Sequence, residues 1–243
     1  MFDNLYIRGI RKGPAPPGEE DSYVFTLPAV AALDKLEFTS KVTFLVGENG
    51  TGKSTLLEAI AVGSGFNPEG GTVNFNFATN ETHSPLYKAL TMVKGTKRPR
   101  DGFFLRTESF YNVASEIERL GVEPNYGGVS LHHQSHGESF IALMINRFGG
   151  HGIYLLDEPE AALSPARQLT LLALIHNLVR RDSQLIIATH SPILMSYPGA
   201  EILVISESGI CSTPYEETEH YTLSKRFLNN PGQTLKHLLA DDE

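Results

Sequence analysis

A glycine-rich segment carries the residues whose types and spacing are best suited to chemistry. Apolar residues 42–46 lead into GENGTGKS at residues 47–54, and the helix-forming residues 56–61 follow. Glycines let a turn direct its backbone N–H groups toward phosphate oxygens, and the following helix N-terminus adds to that attraction. In such a loop Lys53 can reach the β- and γ-phosphates, and the Ser54 hydroxyl can ligate Mg²⁺. The segment predicts a nucleoside triphosphate site formed by Gly47, Glu48, Asn49, Gly50, Thr51, Gly52, Lys53, Ser54 and Thr55.

Two carboxylates directly follow another apolar run. Residues 153–156 read IYLL, and Asp157 and Glu158 come next. Open parallel sheets bind ligands at the carboxyl ends of their strands, so this pair can lie beside the phosphate loop. Asp157 is suited to hold the ligand shell of Mg²⁺, and Glu158 is suited to polarise an attacking water. Acidic pairs also occur in ordinary turns, but the phosphate loop earlier in the chain favours the catalytic interpretation.

Two further polar segments are placed to contact phosphate. The sequence QSHGE at residues 134–138 precedes an apolar helical run, where Ser135, Gly137 and the helix N-terminus can form a second anion site. The sequence THS at residues 189–191 places His190 at the tip of a buried strand, within reach of a γ-phosphate. A histidine in that position alone is more often structural than catalytic, so its interpretation depends on the other segments.

The hydrophobic pattern predicts the elements that position these segments. From residue 42 to residue 206, apolar runs of strand length alternate with helical patterns, which indicates a mostly parallel sheet flanked by helices. Shorter alternating runs predict an antiparallel β layer near the N-terminus, with an edge strand first. These runs are residues 5–10, 23–27, 36–38 and 72–77. We therefore expect an α/β fold of the P-loop NTPase type, consisting of this parallel sheet and the N-terminal antiparallel layer.

The length of 243 residues fits one large domain or two small ones. We expect a single ATPase domain over residues 1–243, with an inserted helical or irregular lobe at about 78–134, where the pattern is hardest to read. Four basic residues lie close together in that stretch: Lys94, Lys97, Arg98 and Arg100. A solvated loop is the favoured interpretation of this cluster, and a contact with nucleic acid or a partner is the alternative.

Composition excludes several classes of protein. The formal charge of −8 does not favour nucleic acid or an anionic membrane, unless a local basic patch provides the contact. A single cysteine, Cys211, excludes an internal disulfide framework and suits a reducing cytosol. No apolar run approaches the ~20 residues that a membrane-spanning helix needs. The sequence therefore predicts a cytoplasmic protein without direct membrane insertion.

The order and spacing of the four polar segments resemble those of the ATP-binding-cassette (ABC) ATPases. In that family they are the Walker A loop, the signature loop, the Walker B strand and the switch histidine. The resemblance implies ATP and Mg²⁺ as cofactors, with Lys53, Glu158 as general base and His190 as γ-phosphate sensor forming the catalytic set. Ser135 and Gly137 would contact ATP held by a second copy. The implied assembly is a head-to-tail homodimer that forms on ATP binding and clamps two nucleotides.

Some segments resemble a particular branch of this family. Glu138 stands where transporter signatures have glutamine, which resembles the chromosome-maintenance and DNA-repair branch. Too few residues separate the motifs to form the coiled-coil arms of that branch. Residues 27–30, 65–71, 135–140 and 215–221 are similar to a family of short, stand-alone predicted bacterial ATPases.

The chain also departs from the ABC pattern. The lid glutamine is missing, and Glu108 is the substitute that we expect near the metal, so the predicted metal contacts are Ser54, Asp157 and Glu108. Ser164 stands where the family has the D-loop aspartate, which leaves coupling between subunits open. The aromatic residue that stacks on adenine has three candidates, Tyr6, Tyr23 and Phe25.

Three functions remain open from the sequence. The leading hypothesis is a soluble Mg-dependent ATPase that dimerises on ATP and couples hydrolysis to an unidentified protein partner or nucleic acid. The first alternative is the nucleotide-binding subunit of a membrane ABC transporter, which the signature loop and the missing glutamine oppose. The second is a slow or non-hydrolysing ATP sensor in a defence or toxin–antitoxin module, which the presence of Lys53 and Glu158 opposes.

Overall fold

The computed structural model describes residues 4–73, 84–122, 124 and 135–239. Its strands, in chain order, are β1 (Ile7–Lys12), β2 (Lys35–Glu37), β3 (Val42–Gly47), β4 (Leu90–Lys94), β5 (Asp101–Arg106), β6 (Gly152–Asp157), β7 (Gln184–Ala188), β8 (Glu201–Ser206) and β9 (Gly209–Ser212). Its helices are α1 (Pro28–Ala31), α2 (Lys53–Gly63), α3 (Leu86–Ala89), α4 (Phe110–Arg119), α5 (His136–Arg147), α6 (Pro165–Arg180), α7 (Pro192–Met195), α8 (Glu219–Asn229) and α9 (Pro231–Leu238).

A six-stranded sheet in the order β5-β6-β7-β3-β8-β9 forms the centre of the fold. The first five strands in that order are parallel, and β9 pairs antiparallel with β8. Because the strands are parallel, the loops that follow β3, β6 and β7 all lie at one edge of the sheet. The predicted α/β fold with a mostly parallel sheet is confirmed, and this edge brings together three of the four predicted motifs: the phosphate loop, the acidic pair and the segment with His190.

A separate three-stranded antiparallel sheet has the order β2-β1-β4, which confirms the predicted N-terminal β layer. Two details of that prediction are wrong. The first strand is central and not an edge, because β4, which the sequence pattern did not reveal, pairs with its other side. Residues 23–27 are not a strand: Tyr23–Thr26 forms a 3-10 turn that leads to Pro28 at the start of α1. Most of the predicted strand 72–77 lies outside the described residues.

Alternate side chains of the central strands enter two hydrophobic cores, one on each face of the sheet. In β3, Phe44 joins the core formed with α4, α5 and α6, whereas Leu45 joins the core formed with α2. Leu56 and Ile60 of α2 are completely buried, between the central sheet and the small antiparallel sheet. The helix that follows the phosphate loop is therefore held by packing on two sides.

Residues 84–122, within the predicted lobe at about 78–134, contribute to both sheets and to the core. β4 belongs to the small sheet, and β5 is the edge strand of the central sheet. Phe110 and Ile117 of α4 are buried in the same core as α5 and α6. Residues 84–122 are thus integral to both layers, whereas residues 78–83 and 125–134 lie outside the described part of the chain.

Gln184 joins the two sheets. Its side chain is fully buried at the start of β7, where Oε1 accepts hydrogen bonds from the backbone N–H groups of Tyr6 and Ile7, both at 2.9 Å. Its Nε2 donates to the Ile7 carbonyl at 2.8 Å. The Gln184 amide therefore provides hydrogen-bond partners for three buried backbone groups at the start of β1.

We expect Gln184→Met to destabilise the protein by about 2–3 kcal/mol, because it leaves two buried N–H groups and a carbonyl without partners. Urea unfolding followed by circular dichroism measures this change. Gln233→Met on the exposed face of α9 is the matched control and should have little effect. A loss below about 0.5 kcal/mol at Gln184 would show that other groups or water replace these bonds.

Candidate functional site

The phosphate loop has a conformation that requires glycine. Gly47, Gly50 and Gly52 have φ of 155°, 81° and 92°, all in the region that side chains disfavour. A Cβ at Gly47 would also lie 2.4 Å from the Ile205 carbonyl oxygen, and one at Gly52 would lie 3.1 Å from Leu27 Cβ. Gly52 caps α2, whose first N–H groups have no partner within the helix. The loop thus presents backbone donors and a helix N-terminus to an anion.

Lys53 lies folded back over this loop. Its Nζ donates to the carbonyls of Gly47 and Glu48, both at 2.8 Å. Burial lowers the pKa of Lys53, while the charges of Glu158 and Asp157 oppose that effect. The nearby carboxylates therefore help keep this buried amine protonated, as contact with phosphate requires.

Asp157, at the end of β6, provides a test of whether the site suits Mg²⁺. Burial raises its pKa to about 6, although the charge of Arg106 and a hydrogen bond from Ser54 lower it. Its Oδ1 is buried without a hydrogen-bond partner among the described residues. An unpaired carboxylate oxygen beside a serine hydroxyl offers the hard oxygen ligands that Mg²⁺ prefers. The residues fit this ion.

The rest of a Mg²⁺ shell would have to come from nucleotide and water. Within the described ranges, no group of three histidine, cysteine, aspartate or glutamate side chains could hold a metal ion. Mg²⁺ commonly binds through one or two protein ligands together with substrate phosphates and waters, so two protein oxygens are sufficient.

Glu108, the third predicted metal contact, lies close enough to Asp157 for its charge to help raise the pKa of that carboxyl. Its side chain is 87% exposed, and its Oε2 lies 3.6 Å from Arg106 Nη2. Strand β5 ends two residues earlier, at Arg106. The role of Glu108 as a metal ligand stays a prediction.

Arg106 is the residue of β5 that contacts the predicted metal site, and sequence reasoning missed it. Its Nε lies 3.5 Å from Asp157 Oδ2, and its Nη1 donates to Glu58 Oε2 of α2 at 2.7 Å. The register of β5 on β6 places Arg106 directly beside Asp157. Parallel pairing of the two predicted strands, aligned at their ends, was the signal that could have revealed this contact.

Glu158 follows Asp157 in a left-handed conformation, with φ 48° and ψ 51°. Its backbone N–H donates to Ala188 at 3.0 Å, and its carbonyl accepts from the Thr107 hydroxyl at 2.8 Å. Its side chain is 40% exposed, and Oε1 lies 3.7 Å from His190 Nε2. A fixed backbone thus presents a solvent-accessible carboxylate at the sheet edge, as a general base requires.

His190 occupies the position predicted for it, at the end of β7. Its backbone N–H donates to Glu160 Oε1, and its Nδ1 lies 3.3 Å from His220 Nε2 of α8. Burial is the main cause that lowers the pKa of His190, followed by the charge of Lys53. Near neutral pH the imidazole is therefore neutral and can donate one hydrogen bond. Glu160 and His220 were not identified from sequence.

Gln168 is a further contact that no motif revealed. It is buried on α6, where its Oε1 accepts from Ser191 Oγ and its Nε2 donates to the Leu163 carbonyl at 3.1 Å. It therefore joins the segment after Glu158 to the residue after His190.

Ser135 and Gly137 lie apart from this cluster. Ser135 caps α5 in a capping box with Glu138, and Arg167 of α6 binds both residues, at 3.4 Å and 2.9 Å. A Cβ on Gly137 would lie 2.7 Å from the Ala162 carbonyl oxygen, so glycine is needed there for packing. Ser135 is exposed, and none of the described hydrogen bonds joins it to the phosphate loop. Within one chain, the signature loop and the phosphate loop do not form one site.

The three candidates for adenine stacking differ in burial. Tyr6 belongs to the core and donates its hydroxyl to the Asp182 carbonyl at 2.8 Å, and Phe25 packs against the α2 core. Tyr23 is 72% exposed. Of the three, Tyr23 alone presents a large free surface in the described structure.

Two concavities of the described structure differ in whether the motif residues line them. One of about 460 Å³ is lined by the phosphate loop, the end of β8, Glu219 and His220. A larger one of about 750 Å³ lies between Thr39 and Glu216 and contains none of the motif residues. The candidate site is therefore identified by the residues that line the concavity and not by the volume of the concavity.

Two family models match the sequence. One is described as "AAA domain" and matches residues 31–113, which include the phosphate loop. The other is described as "AAA domain, putative AbiEii toxin, Type IV TA system" and matches residues 97–196, which include Ser135, Asp157 and His190. No curated protein matches the sequence. Among the helices of the described ranges, none has the length and apolar character needed to cross a membrane.

Solved structures share the fold. CbiO1 from Clostridium perfringens, part of the ABC transporter complex CbiONQ, aligns with a TM-score of 0.54 and 18% identity over 97% of this chain and 99% of that chain. The SMC head domain from Thermotoga maritima aligns with a TM-score of 0.43 and 16% identity over 86% of this chain and 97% of that chain. The first of these likenesses shows that the chain shares the α/β fold of CbiO1, and the family models add matches to AAA domains over residues 31–113 and 97–196.

Proposed function

We propose that the protein is a Mg-dependent ATPase of the cytoplasm, built as a single ABC-type domain. The observation that carries this proposal is the convergence of four side chains at one sheet edge. Lys53 Nζ lies against the phosphate loop, buried Asp157 has an unpaired oxygen, and Glu158 lies 3.7 Å from His190. These groups would respectively bind the phosphates, hold Mg²⁺, activate water and contact the γ-phosphate.

Each residue has a distinct task in this proposal. Lys53 exchanges the carbonyls of Gly47 and Glu48 for β- and γ-phosphate oxygens. The bound Mg²⁺ would neutralise charge on the phosphates, and Ser54 and Asp157 would hold it. Glu158 orients the attacking water and accepts its proton. Because only a change of side-chain partners is needed, the loop is already arranged for the nucleotide.

We further propose that ATP brings two copies together head to tail. Ser135 and the N-terminus of α5 are exposed and separate from the phosphate loop of the same chain. A second copy could place this anion-binding end over the γ-phosphate, since helix N-termini attract negative charge. In that assembly, each active site contains residues of both copies. The Ser135 hydroxyl would then exchange its bond to Glu138 for one to phosphate.

The coupling partner would be an unidentified protein or a nucleic acid. All four clustered basic residues, Lys94, Lys97, Arg98 and Arg100, are exposed, and Lys97 forms an ion pair with Asp182 at 2.9 Å. This cluster precedes β5, so it lies at the sheet edge opposite the phosphate loop. A nucleic acid bound there would not contact the nucleotide directly.

The proposal is tested by mixing two inactive variants. Lys53→Ala disables the phosphate loop and retains the signature loop, whereas Ser135→Arg does the reverse. A mixed dimer has one site with both defects and one site with neither. We expect each variant alone to hydrolyse ATP at least about 100-fold more slowly than the wild type, and the mixture to recover up to about a quarter of wild-type activity.

The controls separate dimerisation from hydrolysis. Each variant is also mixed with itself, and light scattering after gel filtration with Mg-ATP measures the mass. Failure of the mixture to exceed its components would contradict the composite site. Hydrolysis by a strict monomer would retain the ATPase proposal and remove the dimer. Absence of ATP binding to the wild type by calorimetry would remove both.

A further inference from the structure

The two ring nitrogens of His190 have different neighbours. Its Nε2 lies 3.7 Å from Glu158 Oε1, and its Nδ1 lies 3.3 Å from His220 Nε2. The two imidazole rings have a centroid separation of 5.5 Å and an interplanar angle of 46°. His220 lies in none of the four motifs, so the contact between the two histidines has no role in the functions considered so far.

The position of His220 is fixed relative to His190. His220 is the second residue of α8, which begins after the buried cap Thr218, whose Oγ1 accepts from Tyr221 N–H at 3.3 Å. Just before it, the Tyr215 hydroxyl donates to the Pro192 carbonyl at 2.9 Å. Pro192 opens the short helix α7 two residues after His190. The start of α8 is therefore attached to the segment that carries His190, and the distance between the rings is set by local packing.

Hydrogen-bond chemistry restricts this pair. Burial is the largest cause lowering the pKa of each histidine, so both rings are neutral near pH 7.5. A neutral imidazole carries one N–H, so a bond between two ring nitrogens needs one donor and one acceptor. If His190 donated from Nδ1, its Nε2 would have a lone pair facing the carboxylate of Glu158 and, later, the phosphate. Both are acceptors, and the contact would be repulsive.

The opposite arrangement avoids this repulsion. With the proton on His220 Nε2, that nitrogen donates to His190 Nδ1, and His190 then carries its own proton on Nε2. That nitrogen is buried without a hydrogen-bond partner among the described residues, 3.7 Å from Glu158 Oε1, so its N–H is available to a γ-phosphate oxygen. We propose that His220 is a positioning residue that holds His190 in the Nε2–H tautomer and in the orientation needed to contact the phosphate. This inference rests on the proposed ATPase function only for the identity of the anion.

The first test reads the proton directly, in protein without nucleotide. The full chain is labelled with ¹⁵N-histidine, and His190→Asn and His220→Gln identify the two sets of signals by their loss. We expect the shared proton on His220 Nε2, with a through-hydrogen-bond coupling to His190 Nδ1. A proton on His190 Nδ1, or no coupling between the two rings, would overturn the proposal. This result does not depend on whether the protein hydrolyses ATP.

The second test compares a donor with a non-donor at position 220. Glutamine can place an amide N–H near the position of Nε2, whereas leucine cannot. In single-turnover hydrolysis, we expect His220→Gln to stay within about threefold of the wild type. We expect His220→Leu to be about fivefold to tenfold slower at saturating ATP with little change in ATP affinity. Equal rates for leucine and the wild type would contradict the role. Equal losses for both variants would indicate packing alone and would also contradict it.

Discussion

Glu158→Gln is expected to reduce the rate of ATP hydrolysis by about 10²–10⁴-fold, the usual contribution of a general base. Glutamine keeps the size of the side chain but cannot accept the proton of an attacking water. Glu158 is partly exposed, and Lys53 donates to the carbonyls of Gly47 and Glu48 and not to the Glu158 carboxylate. ATP affinity should therefore remain within a few-fold, and the ATP-bound dimer should accumulate because it is no longer reset.

Single-turnover hydrolysis, calorimetry and light scattering on the same sample measure these three quantities. Glu216→Gln removes an exposed carboxylate just before α8 and serves as the control of equal charge change. A Glu158→Gln protein that still hydrolyses ATP within threefold of the wild type would show that another group activates the water. Glu160 would then be examined next, because it is buried against His190 N–H.

Asp157→Asn is expected to stabilise the metal-free protein at neutral pH while removing its response to Mg-ATP. The pKa of Asp157 is about 6 in the fold and about 3.8 in an unfolded chain. Between about pH 4 and pH 6, the folded protein therefore keeps a proton on Asp157 that the unfolded chain has already lost. The contribution of this proton to stability is complete below about pH 4 and is lost as pH rises through 6. The difference corresponds to about 3 kcal/mol.

The measurement compares urea unfolding of the wild type and Asp157→Asn at several pH values in the presence of EDTA. We expect the variant to be more stable by about 3 kcal/mol at pH 7.5, with the difference disappearing near pH 4. Addition of Mg-ATP should stabilise the wild type and not the variant, which reverses their order. A variant that is less stable than the wild type at pH 7.5 would show that the charge of Arg106 outweighs burial.

Much of the fold was predictable because its strands are apolar on both faces. β3, β6 and β7 read as continuous apolar runs, which is how strands covered by helices on both sides are recognised. β4 was missed because its five residues include Thr91 and Lys94, and none is buried. The pairing of β4 with β1 joins residues far apart in sequence, and the composition of β4 does not reveal it.

The candidate site was predictable where chemistry follows from local spacing. The glycines of the phosphate loop and the acidic pair after β6 can be interpreted from the residues next to them in sequence. Arg106 and His220 cannot, because each acts through a partner far along the chain: Asp157 for Arg106 and His190 for His220. Glu108 was predicted as the substitute for the missing lid glutamine, and the sequence did not reveal that Arg106, two residues earlier, contacts Asp157.

The left-handed backbone of Glu158 has a consequence for directed evolution. An L-residue with φ 48° and ψ 51° carries a conformational cost of about 1–2 kcal/mol, which glycine or asparagine would largely relieve. A library screened only for heat resistance should therefore enrich Gly or Asn at this position. Such clones would survive higher temperatures and would have lost the carboxylate that we propose as the general base.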